Sequence, residues 1–117
     1  MWERLIIAII RLTAARHLQR PDGLVLHAWT TEPEKATWAD KQTGLSPEVW
    51  SEGMGWYTLV VPELLAVLPE THPDYNKILD IYIKMCRGLK SVQDKSTGGW
   101  FMVVDKGDNP LNFIDPS

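Results

Sequence analysis

Apolar side chains recur at helical spacing in three stretches of this chain. Trp2, Leu5, Ile6, Ile9, Leu12 and Ala15 or Arg16 follow the i, i+3, i+4, i+7 rule and predict a helix over residues 2–19. Ile7 and Ile10 widen that stripe, so the helix is expected to bury more than one side. Pro21-Asp22-Gly23 stops it with turn chemistry. Leu24 to Trp29 reads as extended. A second helix is expected over residues 54–68, with Leu59, Val60, Leu64, Leu65 and Leu68 as its stripe and Pro62 as a kink or a lost hydrogen bond. The third, over residues 74–92, has the cleanest pattern: Ile78, Tyr82, Met85, Leu89 and Val92. Asp94 to Gly99 is a turn, and Trp100 to Val104 reads as a short strand.

Between the first two helices, residues 30–49 hold Pro33, Gly44 and Pro47 and no sustained period. They read as a long ordered loop with one short helical turn near Glu34 to Trp38. Loops of that length in a folded domain are usually functional or disordered, and two tryptophans argue against disorder. A weak internal repeat pairs Gln19–Leu26 with Asp94–Val103: a helix, a turn with Asp or Thr next to Gly, then a short extended run. One loop type at successive helix ends suits a helical toroid with short strands on one rim. Chance likeness between turn sequences gives the same pattern.

Composition narrows the function classes. The 117 residues suit one domain, which buries roughly two-thirds of its unfolded surface. A net charge of −3 gives no support to nucleic-acid binding. The single cysteine, Cys86, excludes an internal disulfide and reads as a small core residue rather than a nucleophile. No run is long enough to cross a membrane. Leu5 to Ile10, flanked by Arg4 and Arg11, has the outline of a weak signal peptide. No small-residue cleavage site follows, so a buried helix is the better reading. A cytoplasmic location is expected, with export of a parent protein left open.

Six tryptophans are many for this length, and Trp29, Trp38, Trp50, Trp56 and Trp100 fall in or beside loop-like segments. Indole faces at element ends suit sugar rings, whose C–H faces stack on them; they also suit loop anchoring. The densest signal is Trp50-Ser51-Glu52-Gly53-Met54-Gly55-Trp56-Tyr57, two tryptophans bracketing two glycines before an apolar run. Glycine permits close approach to the backbone. These residues describe a surface for a flat ligand at the mouth of a helix, or a tight turn with two core tryptophans.

Several motifs together resemble a known family. They are Gly23-Leu24-x-x-His27-x-Trp29, Trp38-Ala39-Asp40, Gly44-Leu45-Ser46-Pro47-Glu48-x-Trp50 and Trp50-x-x-Gly53-x-Gly55-Trp56-Tyr57. Leu68-Pro69, His72-Pro73, Gln93-Asp94, Gly98-Gly99-Trp100-Phe101 and Asn112-Phe113 continue in the same order. The set is similar to unsaturated rhamnogalacturonyl hydrolases of glycoside hydrolase family 105, relatives of the family 88 unsaturated glucuronyl hydrolases. That resemblance implies a mainly α fold: an arc of an (α/α)6 barrel with short β-strands on one rim. Residues 1–117 would form one partial domain, incomplete at both ends relative to the barrel.

The chemistry implied is hydration of the C4=C5 double bond that lyases leave on a terminal uronic sugar of a pectin-derived oligosaccharide. An aspartic acid protonates C4, water adds at C5, and the hemiketal collapses to release the sugar. No metal or other cofactor is needed. The resemblance gives the substrate surface to His27, Trp50 and Trp56; Trp29, Glu52 and Met54, within the same motifs, complete the candidate substrate-binding residues. Glu52 stands where many members carry arginine, and a glutamate repels an anionic uronate. The resemblance also puts the catalytic aspartate upstream of His27, where the one aspartate is Asp22 in its turn. No catalytic residue is therefore assigned, and Asp22 and Asp40 are read as turn residues.

The partner expected is an unsaturated uronide oligosaccharide, with no nucleic acid and no membrane. Exposed barrel faces would favour self-association. The alternative function is a non-catalytic carbohydrate-binding remnant of the same fold. A third reading is an interaction module from another helical toroid, such as a sugar epimerase.

Overall fold

The computed structural model describes residues 15–116. Residues 15–18 are helical, and the rest of the helix expected over 2–19 lies outside the described residues, as do Leu5 to Ile10. Two long helices dominate: α1, Ser51–Val67, and α2, Tyr75–Ser91. The other described residues beyond 15–18 are mostly turn and loop. A single 3-10 turn at Pro33–Lys35 replaces the helical turn expected slightly later; proline with its fixed φ starts it.

No strand occurs among the described residues, which corrects the expectation of strands on one rim. The segments read as extended are tied instead by isolated antiparallel bridges: Gln19 with Val25, Trp29 with Leu45, Trp50 with Val103, and Phe101 with Ile114. Each stretch between turns is too short to extend a ladder. Leu24, Val25 and Leu26 are nonetheless all buried, so their apolar run reports burial rather than sheet.

The core has two parts. The larger gathers Leu18, Leu24, Val25, Leu26, Val49, Met54, Met85 and Val104, with Tyr82, Leu89, Val92 and Trp100 packed against it. The smaller holds Val61, Leu68 and Ile78 between α1 and α2. The periodic residues of α2 therefore face inward as the spacing requires. In α1 they do not all do so: Leu59 is 66% exposed while Val61 is buried. Apolar residues lie on every side of this helix, mixed with Glu52 and Glu63 on one of them, so its sequence does not clearly mark the buried face. The helix also runs through Pro62, whose ring sits exposed.

α2 is locked to the loop before it by backbone packing. Gly23 has φ +91, and a Cβ there would meet the Lys84 carbonyl oxygen at 2.0 Å. A Cβ on Gly88 would meet the Asp22 carbonyl at 2.6 Å. Only glycine allows both the backbone angle and the approach.

The repeat seen in the sequence has a sharper partner than the one first matched. Asp40-Lys41-Gln42-Thr43-Gly44 and Asp94-Lys95-Ser96-Thr97-Gly98 fold alike. In each, the aspartate accepts from the threonine N–H, at 2.8 Å, and from the threonine hydroxyl. In each, the glycine has positive φ, and its N–H donates to the aspartate carbonyl at 2.8 Å and 2.9 Å. The aspartate N–H closes the loop onto the residue after the glycine, Leu45 or Gly99. The molecule is a slab of 46 × 39 × 23 Å, about two helix diameters thick, so both broad faces lie close to solvent.

Candidate functional site

The start of α1 is assembled by residues 99–115. Trp50 precedes the helix in an extended conformation and offers no side-chain cap. The Ser51 N–H instead donates to the Met102 carbonyl at 2.9 Å, and the Ser51 hydroxyl donates to Asp115. The Val104 N–H donates to the Val49 carbonyl at 3.1 Å. Asn112 holds the returning segment. Its Nδ2 donates to the Val103 carbonyl at 2.8 Å, and its Oδ1 accepts from the Val103 N–H at 3.1 Å. Local sequence gives no sign that Asp115 belongs beside Ser51; a hairpin of the last residues brings it there.

A cavity of about 640 Å³ opens beside this helix start. Trp56 and Trp100 contribute aromatic surface, Leu59 and Leu89 aliphatic surface, and Glu52 and Asp115 carboxylates. Trp100 is fixed by its Nε1–H, which donates to the Leu89 carbonyl at 2.8 Å and so satisfies a last-turn acceptor of α2. Trp56 is 62% exposed. Glu52 sits in the first turn of α1, where the helix dipole favours a negative charge.

The six residues assigned from sequence do not form one cluster. His27 and Trp50 adjoin, with ring centroids 6.3 Å apart and planes at 72°. Gly53 lies against both, its Cβ position 3.7 Å from the His27 Cβ and from the Trp50 ring. His27 Nδ1 reaches the Glu48 carbonyl only at 3.4 Å, the long limit of a hydrogen bond. Glu52 and Trp56, four residues apart on one helical face, border the cavity instead. Trp29 stacks flat on His17 at 4.4 Å, which covers one of its faces. Met54 is 1% exposed, and its sulfur accepts the Val25 N–H at 3.3 Å. It is buried beneath the cavity and contributes to its lining. Sequence reading missed Asp115 and the placing of Trp100 at this cavity; for Trp100 its loop position was the available signal.

Asp22, Asp40 and Asp94 have turn roles. Asp40 is held below the usual carboxylate range by the backbone and hydroxyl of Thr43. Asp94 is held down by the hydroxyls of Ser96 and Thr97. A lowered pKa keeps both ionised, the opposite of what a proton donor needs. Asp22 pairs with Arg20 at 2.5 Å and accepts the Leu24 N–H across its turn. No group of three or more potential metal ligands gathers among the described residues. No described helix is long and apolar enough to cross a membrane.

A mainly helical chain with exposed indoles around carboxylates has the makings of a carbohydrate-active protein. The sequence model of Glycosyl Hydrolase Family 88 matches residues 4–114, and the chain belongs to that family. It is similar to an unsaturated 3S-rhamnoglycuronyl hydrolase of Alteromonas sp. (strain LOR), 31% identical over 70 residues that make up 60% of this chain and 14% of that one. It is 26% identical to a 24.9 kDa protein in the picA locus of Rhizobium radiobacter, over 81% of this chain and 40% of the other. A solved glycoside hydrolase from family 105 of C. acetobutylicum ATCC 824 superposes with TM-score 0.82 and 30% identity. The superposition covers 89% of this chain and 29% of that structure. The chain thus spans less than half the length of each of these proteins.

Proposed function

We propose that this chain forms part of the substrate-binding surface of an unsaturated glycuronyl or rhamnogalacturonyl hydrolase. In this reading it is an arc of an (α/α)6 barrel, and the whole protein releases an unsaturated uronic sugar by adding water across the C4=C5 bond. The observation that carries the reading is the family 88 match over residues 4–114, joined to the family 105 superposition at TM-score 0.82. The geometry supports a part in binding. His27 and Trp50 meet at a ring angle of 72°, leaving an exposed indole face and an imidazole to donate to a sugar oxygen. Trp56 supplies a second face at the adjoining cavity.

The non-catalytic alternative draws on one feature. The two aspartates with shifted acidity, Asp40 and Asp94, are both held ionised, and neither suits proton donation to C4. The chain by itself is therefore expected to bind without turnover. Mixed with an unsaturated rhamnogalacturonan disaccharide, it should show a change in tryptophan fluorescence that Trp50→Ala abolishes. The absorbance of the conjugated double bond should stay constant. Lack of any fluorescence response to uronides defeats the binding role, and steady loss of the double-bond absorbance defeats the inactive-arc reading. The apolar surface of Trp56, Leu59 and Val67 is open in this chain. Self-association through it, read by elution volume against concentration, belongs to the same proposal.

A further inference from the structure

The twin loops use their lysines differently. Asp40 to Gly44 and Asp94 to Gly98 share one aspartate–threonine frame and one left-handed glycine. Lys41, in the first loop, is a strut. Its ammonium donates to the Pro33 carbonyl at 2.9 Å and to the Ala36 carbonyl at 2.8 Å. Lys95 holds the same place in the second loop. It is exposed and borders a cleft of about 390 Å³ between the end of α2 and the turn at Asp105 to Gly107. That size lies within the usual range for small-molecule sites.

The other walls of this cleft are fixed by packing and charge. Val104, a core residue, lines it beside Phe101. The Phe101 ring lies against Gly107, where a Cβ would meet it at 2.7 Å, so only glycine leaves the ring in place. One oxygen of Asp105 accepts from Arg20 at 2.5 Å. The other is buried and has no hydrogen-bond donor. Such an oxygen is costly to leave unpaired, and a ligand hydroxyl at this wall would supply the missing donor. The remaining polar side chains described along the cleft are engaged. The Ser91 hydroxyl donates to the Gly88 carbonyl, Gln93 bonds Lys90 and the Gly98 carbonyl, and Asp94 accepts from Ser96 and Thr97. The cleft therefore sets an ammonium donor and a carboxylate acceptor around an aromatic wall.

We propose that this cleft binds a neutral pyranose. Ring hydroxyls accept from Lys95 and donate to Asp105, and the C–H face of the sugar lies on Phe101. A ring with both donors and acceptors serves the two charged groups at once. The site uses no residue of the His27 and Trp50 surface, so it stands apart from the hydrolase reading.

The test is an NMR titration of the isotope-labelled full chain with methyl β-glucoside, methyl β-galactoside and cyclohexanol. At least one of the two sugars should move the amide signals of Lys95, Gly98 and Gly107 in a saturable way, and cyclohexanol should not. Lys95→Met should weaken sugar binding by roughly tenfold or more, the effect of losing a hydrogen bond from a charged group. Lys41→Met, which removes the strut of the twin loop, should leave sugar affinity unchanged. Both lysines are exposed, so both variants should fold. No saturable shift at these amides with either sugar, an equal response to cyclohexanol, or unaltered affinity in Lys95→Met would each overturn the proposal. The hydrolase reading is judged apart from these, by the Trp50-dependent response to the unsaturated disaccharide.

Discussion

The two long helices have 17 residues each and very different surfaces. α2 carries five charged residues, Lys77, Asp80, Lys84, Arg87 and Lys90, and buries Ile78, Met85 and Gly88. Asp80 and Lys84 pair at 3.0 Å on its solvent side. α1 carries two charged residues, Glu52 and Glu63, and leaves Trp56, Leu59 and Val67 exposed. α2 is thus an outer helix, with one face for the core and one for water. α1 mixes its two glutamates with exposed Trp56 and Leu59 on one face, so it has no wholly polar side. One side meets α2 through Val61 and its neighbours. The other offers indole and aliphatic surface to a ligand or another layer of protein. Stability is therefore concentrated on the α2 side, and the proposed binding surface lies on the far side of α1.

Substitutions that invade the α2 side should have the largest effects. Gly23→Ala places a methyl 2.0 Å from the Lys84 carbonyl at a left-handed φ. Strain and overpacking together should cost roughly 3 kcal/mol or more, read as a large fall in Tm by circular dichroism. An unchanged melt would show that the loop does not clamp α2. Next comes Met85→Ala. Met85 is 0% exposed, and its truncation should cost about 2–5 kcal/mol in a denaturant titration.

The far side of α1 should behave otherwise. Leu59→Ser should alter stability by no more than about 0.5 kcal/mol, because its side chain already meets solvent. The same change should move elution toward the monomer if that face associates. A strong loss of stability in Leu59→Ser would erase the contrast between the helices.

The smallest expected effect is on pH dependence. Asp40 and Asp94 have folded pKa values below their unfolded ones. The stability they contribute is complete above the unfolded carboxylate pKa of about 4 and is lost as pH falls through the folded value. Thr43→Val and Thr97→Val should each weaken this acid dependence, measured as Tm against pH below about 5. Both aspartates are at the surface, so the change should be smaller than either core effect. A Tm profile identical to that of the unaltered chain would remove these loops from the acid response.

Periodicity alone was enough to place α2 and its inward residues, because a stripe with charges opposite it has one stable orientation. The turns at Asp22-Gly23 and Asp94 to Gly98 were legible for a similar reason: their chemistry is local. So was the family, since its motifs keep their order along the chain. The orientation of α1 was not legible, because an apolar helix without a polar face fits several ways round. The strands read from Leu24–Trp29 and Trp100–Val104 became single bridges, since alternation and burial cannot be told apart in runs this short. Burial of Met54 at the floor of the cavity that Glu52 borders was not legible either, since spacing alone does not say how deep a helix residue sits. Asp115 reaches that cavity only through the hairpin braced by Asn112. Short-range spacing decides which residues share a helix face. Pairing over long sequence separations decides which faces meet, and here it brought Asp115 to the start of α1.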